Sequence, residues 1–89
     1  MWGEGVDIKL KFSPKVCRRV KESVWHPSQV IVDLLDGGCV MTLRIGSIIE
    51  ITPWIRGWGT EVEVLEPEEL HERAIGEVKQ MAEVYRVVD

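Results

Sequence analysis

The sequence is short of nearly everything that announces chemistry. No apolar run approaches the ~20 residues needed to cross a bilayer, and the N-terminus lacks the basic-then-apolar pattern of a secretion signal. A cytoplasmic chain with no membrane partner is therefore expected. Cysteine occurs only as Cys17 and Cys39, without Cys-x-x-Cys spacing, and without a secretion signal a disulfide is not expected. Histidine occurs only as His26 and His71, and these four residues together match no zinc-ligand spacing. Gly-x-Gly-x-x-Gly, P-loop and nucleophile-elbow motifs are all missing. His71 lies in a Glu-rich helical segment, and sequence alone gives His26 no Ser, Asp or Cys partner. These absences leave no catalytic residue, no metal and no cofactor to expect, hence no enzyme.

What remains is the material of one small domain. Of 89 residues, 45% are hydrophobic and 29% charged, an ordinary soluble composition. A chain this short buries only roughly 60–65% of its unfolded surface, so little apolar area can be wasted. The net charge of −4 is unevenly spread. Residues 1–24 carry Lys9, Lys11, Lys15, Arg18, Arg19 and Lys21 against Glu4, Asp7 and Glu22, a net +3. Residues 61–89 carry nine acids against Arg73, Lys79 and Arg86, a net −6. That polarity suits self-association or docking to a neighbouring domain, and the chain as a whole is not a basic nucleic-acid binder.

Hydrophobic spacing sets the elements. Val6, Ile8, Leu10 and Phe12 alternate with Asp7, Lys9 and Lys11, a strand with one buried face. Ser13-Pro14 then opens a helix as N-cap and first residue, with an apolar stripe of Val16, Cys17, Val20 and Val24. Cys39 opens a later strand, so both cysteines read as small hydrophobes. Val30, Val32 and Leu34 alternate with Ile31, Asp33 and Leu35, and Asp36-Gly37-Gly38 supplies the positive-φ positions of a hairpin. On the return strand Met41, Leu43 and Ile45 face inward, opposite Val40, Thr42 and Arg44. Gly46-Ser47 begins a second helix with Ile48, Ile51, Ile55 and Trp58 on one face, closed by Gly57 and Gly59. Pro53 inside it removes a hydrogen bond at a cost of ~3 kcal/mol, so the helix is either kinked there or begins only near Thr52. Val62 and Val64 alternate with Glu61 and Glu63 in a last strand. Pro67 then opens a helix whose Leu70, Ala74, Val78, Met81 and Tyr85 form a stripe, with Glu69–Arg73 and Lys79–Glu83 as i,i+4 pairs.

This order, β-α-β-β-α-β plus a C-terminal helix, predicts an α+β fold of the ferredoxin-like type. Right-handed crossovers put the first and third strands in the centre, the fourth and second at the edges, and the helices on one face. Phe12-Ser13-Pro14 replaces the glycine-rich, arginine-bearing loop of acylphosphatase-type enzymes, and no aromatic projects outward from the central strands to stack RNA bases. Lys9, Lys11 and Arg44 share the outward face. They form either a basic patch or, the favoured reading, cross-strand pairs of Lys9 and Lys11 with Glu61 and Glu63. Trp54 and Trp58 flank the apolar stripe of the second helix, Trp25 precedes the Pro27 kink, and Trp2 has no stripe to join.

Three stretches carry a resemblance: "VDIKLKFSPKVCRRVKESVWHPSQ", "DGGCVMTLRIGS" and "WIRGWGTEVEVLEPEEL". With the strand ending at Ser13-Pro14, the Trp25-His26-Pro27-Ser28-Gln29 lead-in, Trp54, Trp58-Gly59 and Glu63-Val64-Leu65-Glu66-Pro67, the chain from about Val6 to Tyr85 resembles the C-terminal extension (WCX) domain of WYL-domain transcriptional regulators. In that family a winged helix-turn-helix binds DNA, a WYL domain senses a ligand, and this extension follows. The resemblance implies a ferredoxin-like domain at 6–89 behind a linker remnant at 1–5, packing on the WYL domain of a longer chain and supporting dimerisation. With no recognition helix and an acidic last third, this stretch alone is not expected to bind duplex DNA specifically.

Trp25, His26, Gln29 and Trp58 are the interface candidates. The Trp25–Gln29 corner either docks a neighbouring domain, with Gln29 satisfying backbone at the strand start, or is simply a packed turn. The alternative function is a small-molecule or nucleotide sensor, with Arg44, Arg56, Lys9 and Lys11 as ligand-binding candidates.

Overall fold

A computed structural model of the chain describes residues 5–86, so Trp2 and most of the 1–5 lead-in lie outside the described residues. The elements run β1 (Val6–Phe12), α1 (Pro14–Lys21), β2 (Val30–Asp33), β3 (Cys39–Ile45), α2 (Ile48–Trp58), β4 (Val62–Glu66) and α3 (Glu68–Val84), with a single 3₁₀ turn at Gly59–Glu61. The fold is α+β, a four-stranded antiparallel sheet in the order β2-β3-β1-β4 with three helices. β1 and β3 are central, and β2 and β4 form the edges.

One side of the sheet is the core. Ile8, Leu10 and Phe12 of β1, Cys39, Met41, Leu43 and Ile45 of β3, and Val64 of β4 are buried against Cys17 and Val20 of α1, Ile48, Ile51 and Ile55 of α2, and Leu70 of α3. Phe12, Ile8, Leu10 and Met41 are the largest fully buried side chains, each worth about 1.5–3 kcal/mol on transfer from water. The other side presents Asp7, Lys9, Lys11, Thr42 and Arg44 on the central strands, with Val30 and Val32 exposed on β2.

Several expectations from spacing fail for local reasons. Val24 leaves the α1 stripe because the helix ends at Lys21, and it is exposed. β2 stops at Asp33, leaving Leu35 in the turn and fully exposed. Gly37 has the expected positive φ of 93°, whereas Gly38 is required by close approach: a Cβ there would lie 2.7 Å from the Phe12 carbonyl oxygen. α2 runs unbroken through Pro53 from its Ser47 cap, whose hydroxyl accepts from Ile49 N–H. The carbonyl that Pro53 cannot engage belongs to Ile49, an exposed residue for which water can substitute.

The α3 stripe is correct only in its first two turns. Leu70 is buried and Ala74 packs on the core, but Val78, Met81 and Tyr85 are 65%, 49% and 76% exposed. A helix of 17 residues is ~25 Å long, and five-residue β4 supports only its beginning. Among the described residues no ion pair joins Glu69 to Arg73 or Lys79 to Glu83, and the pair that α3 does make is Glu77 with Arg56 of α2.

Candidate functional site

The Trp25–Gln29 corner is held in place by its own side chains. The Gln29 carbonyl oxygen accepts from the backbone N–H groups of Trp25 (2.7 Å) and His26 (3.1 Å), while its amide donates to the Ser23 carbonyl (3.3 Å). One side chain thus satisfies three backbone groups in a segment with no ladder of its own. The Ser28 backbone N–H donates to His26 Nδ1 at 3.1 Å, with the Ser28 hydroxyl 2.8 Å from the same nitrogen. That arrangement makes Nδ1 an acceptor and places the ring proton on Nε2. The Ser28 hydroxyl also accepts from Arg44 N–H (2.8 Å) and lies 3.3 Å from the Arg44 carbonyl, which ties the corner to the end of β3.

Trp25, 40% exposed, lays its ring against α2. Its indole N–H donates to the Val20 carbonyl at 2.9 Å, at the end of α1. Its ring meets Trp54 at 5.5 Å and Trp58 at 5.9 Å between centroids, and both of those meet Phe12 edge-on at 6.1 and 5.4 Å. Such tilted and T-shaped pairs add about 0.5–1.5 kcal/mol each beyond area burial. The Arg19 guanidinium sits 5.8 Å above Trp58 and covers that end of the cluster. Trp54 and Trp58 reach the same neighbour because they lie four residues apart on α2. Beside the cluster, Trp25, His26, Leu43, Ile45, Glu50, Ile51 and Trp54 enclose a pocket of about 290 Å³.

The structure gathers the interface candidates Trp25, His26, Gln29 and Trp58 in this one corner. The ligand-binding candidates are divided. Lys9, Lys11 and Arg44 share the outer face of the sheet, and Arg56 lies on α2 against α3. Each cation but Lys11 has a carboxylate at hand: Arg44 with Asp7 at 2.7 Å, Lys9 with Glu66 at 4.0 Å, and Arg56 with Glu77 through two nitrogens. Lys11 stands opposite Glu63 in the β1–β4 register, but Lys9 stands opposite Glu66, not Glu61. The reason is an irregularity between Lys9 and Leu10, which leaves Leu65 unmatched, and a strand that starts only at Val62. Glu61 instead accepts from the Ser13 hydroxyl, and this hydrogen bond holds its carboxyl below the usual 4.5.

Two features lay beyond sequence reasoning. The Asp7–Arg44 pair depends on the β1–β3 register, which no motif announces. The groove of about 510 Å³ between α3, α2 and β4, lined by Ile55, Val62, Val64, Ile75, Val78 and Met81, exists because the α3 stripe outruns its support. Cys17 and Cys39 are both free and buried. Among the described residues no three His, Cys, Asp or Glu side chains gather to hold a metal ion, and no helix is long and apolar enough to cross a membrane. A family model described as the WCX domain matches residues 4–82. No curated protein matches the chain.

Proposed function

Because the chain belongs to the WCX domain family, we propose that it is a non-enzymatic regulatory domain of a WYL-type helix-turn-helix regulator. In the full-length protein it would couple ligand sensing to DNA binding, in the cytoplasm, by packing on the WYL domain and by pairing with a second copy. The sheet order β2-β3-β1-β4 with its helices toward one side supports a ferredoxin-like description of the domain.

The observation that carries this reading is the uncovered apolar face of α3. Ile75, Val78 and Met81 are 41%, 65% and 49% exposed along the groove, more contiguous apolar surface than a small domain gains by leaving in water. A second copy fits it. Antiparallel crossing at Val78 brings Ile75 of one helix against Met81 of the other, and carries the acidic Glu68-Glu69 end of each toward Arg86 of its neighbour. Such an isologous pair rests on the apolar stripe, with Glu68 and Glu69 facing Arg86 at each end.

Light scattering across a concentration series tests the pairing. A dimer that forms at micromolar to high micromolar concentration, and that V78E with M81E removes, is the expected result. A strict monomer at high micromolar concentration, in both low and high salt, overturns it. The same chain should not retard duplex DNA selectively, since its charge of −4 repels phosphate.

Small-molecule sensing is the second reading, favoured by the pocket beside Trp25. An anion at Arg44 or Arg56 would first have to displace Asp7 or Glu77, so the candidate basic residues are the weaker route to it.

A further inference from the structure

We propose that the pocket between the Trp25–Gln29 corner and α2 binds a small organic cation, an ammonium group carried on an apolar or aromatic body. This site is separate from the α3 face, and the inference does not depend on the regulatory reading.

The pocket's shape and charge select that chemistry. Trp25 and Trp54 form its aromatic walls, and Leu43, Ile45 and Ile51 supply an apolar floor. At about 290 Å³ it lies at the small end of ligand sites, ~300–1,000 Å³, which suits a single ring or a short chain. Its one carboxylate is Glu50, beside Gly46 in the first turn of α2. Glu50 takes part in none of the four ion pairs among the described residues, all of which lie elsewhere. No lysine or arginine lines the pocket. An aromatic wall attracts a cation through its ring quadrupole, and a carboxylate at the rim repels an anion. A cation is therefore the only charged ligand that both features favour.

The site is also held in shape before anything binds. The Trp25 indole is anchored on the Val20 carbonyl, Trp54 is braced by Phe12, Trp25 and Trp58, and His26 is fixed by Ser28. Walls that need no ordering on binding reduce the entropic cost that usually defeats small ligands.

Three probes of one shape separate charge from shape: phenethylamine, 2-phenylethanol and 3-phenylpropionate. Titration of each into the chain is read by NMR on the indole N–H resonances. Saturable shifts at Trp25 and Trp54 are expected, with the amine binding about tenfold more tightly than the alcohol and the acid weakest. Glu50 is exposed, so E50Q should fold normally and lose most of the preference for amine over alcohol. E50K should reverse the preference toward the carboxylate. Equal binding of all three probes, a preference that survives E50Q, or no saturable indole shift up to millimolar phenethylamine would each overturn the proposal.

Discussion

Ser13 donates its hydroxyl to the carboxylate of Glu61 and its backbone N–H, at 3.0 Å, to the Glu61 carbonyl, across 48 positions of sequence. Ser13 occupies the N-cap of α1 with extended φ and ψ, yet its side chain caps no helix N–H. The Val16 N–H, which a capping hydroxyl would engage, donates to the Ser13 carbonyl at 3.2 Å, and the hydroxyl is used instead to fasten the β1–α1 corner to the start of β4.

The Ser13–Glu61 contact should be visible in the acid limb of stability. The hydrogen bond lowers the Glu61 pKa below its ordinary 4.5. A lowered carboxyl contributes stability that is present above the unfolded value and lost as pH falls through the folded one. S13A should therefore raise the Glu61 pKa toward 4.5 and lower stability at neutral pH. The difference between the two proteins should shrink as pH falls below 4.5. Carboxyl NMR titration with denaturation at several pH values checks both, and an unchanged Glu61 titration in S13A would contradict the assignment.

Gln29 is the residue on which the aromatic corner rests. Q29A strips acceptors from the N–H groups of Trp25 and His26 and a donor from the Ser23 carbonyl. Water can reach part of this loop, so the loss should fall near the lower end of the ~1–3 kcal/mol for unsatisfied groups. In a domain of this size that is a fall of about 4–8 °C in Tm per kcal/mol. Q29E keeps the acceptor for two N–H groups but sets a charged oxygen against the Ser23 carbonyl, and with two of the three contacts retained it should be the milder change. Thermal melts followed by tryptophan fluorescence would rank the two, and the opposite ranking would mean that the Ser23 contact dominates.

How far the sequence could be read depends on the range of the interaction. The elements follow from local periodicity and punctuation, and the inward faces of β1 and β3 are as the alternation placed them. The hairpin is legible only in part: the alternation carries β2 on to Leu35, whereas residues 34–38 form the loop that sets Asp33 opposite Cys39. The β1–β3 register, which pairs Asp7 with Arg44, is set by core packing between distant segments and has no local marker. The β1–β4 irregularity that moves Lys9 from Glu61 to Glu66 is equally silent. Trp25 shows the same limit. A bulky ring before a proline is plain in sequence, but whether it meets Trp54 and Trp58 depends on the path of a loop. The α3 stripe misled for the converse reason. Spacing reports amphipathicity and not what covers it, so Val78 and Met81 could be read as core although the chain leaves them bare.

Two glycine substitutions should have opposite signs. G38A drives a Cβ to 2.7 Å from the Phe12 carbonyl oxygen and 3.1 Å from Asp36 Oδ1. The first of these is backbone of a central strand and cannot yield, so a cost of about 1–3 kcal/mol is expected. A Cβ on Gly76, inside α3, meets nothing within 4 Å, so G76A should gain the ~0.5–1 kcal/mol by which alanine exceeds glycine in a helix. Denaturant midpoints of the two variants against the parent decide it. A destabilised G76A would point to a partner in close contact with that face.

The alkaline limb should belong to Cys39 and Lys21. Burial beside the Cys17 thiol pushes the Cys39 pKa from 9.0 up to about 12. Asp33, 2.8 Å away, raises that of Lys21 above 10.5. Both folded values lie above the unfolded ones, so both contributions are complete below the unfolded pKa and lost as pH rises toward the folded value. Stability should be level up to about pH 9 and then fall, with Cys39 alone giving a slope of up to ~1.4 kcal/mol per pH unit. Lys21 adds to that slope as pH approaches and passes 10.5, so the first part of the fall, from about pH 9 to 9.5, is the part that reports the thiol. C39A, although it also leaves a small cavity, should flatten the stability curve in that window while lowering it at every pH. The native chain should also resist a thiol-alkylating reagent at pH 8 until denaturant is added, since only the thiolate reacts. A C39A curve with the parent's slope, together with fast alkylation of the native chain, would place the ionising group elsewhere.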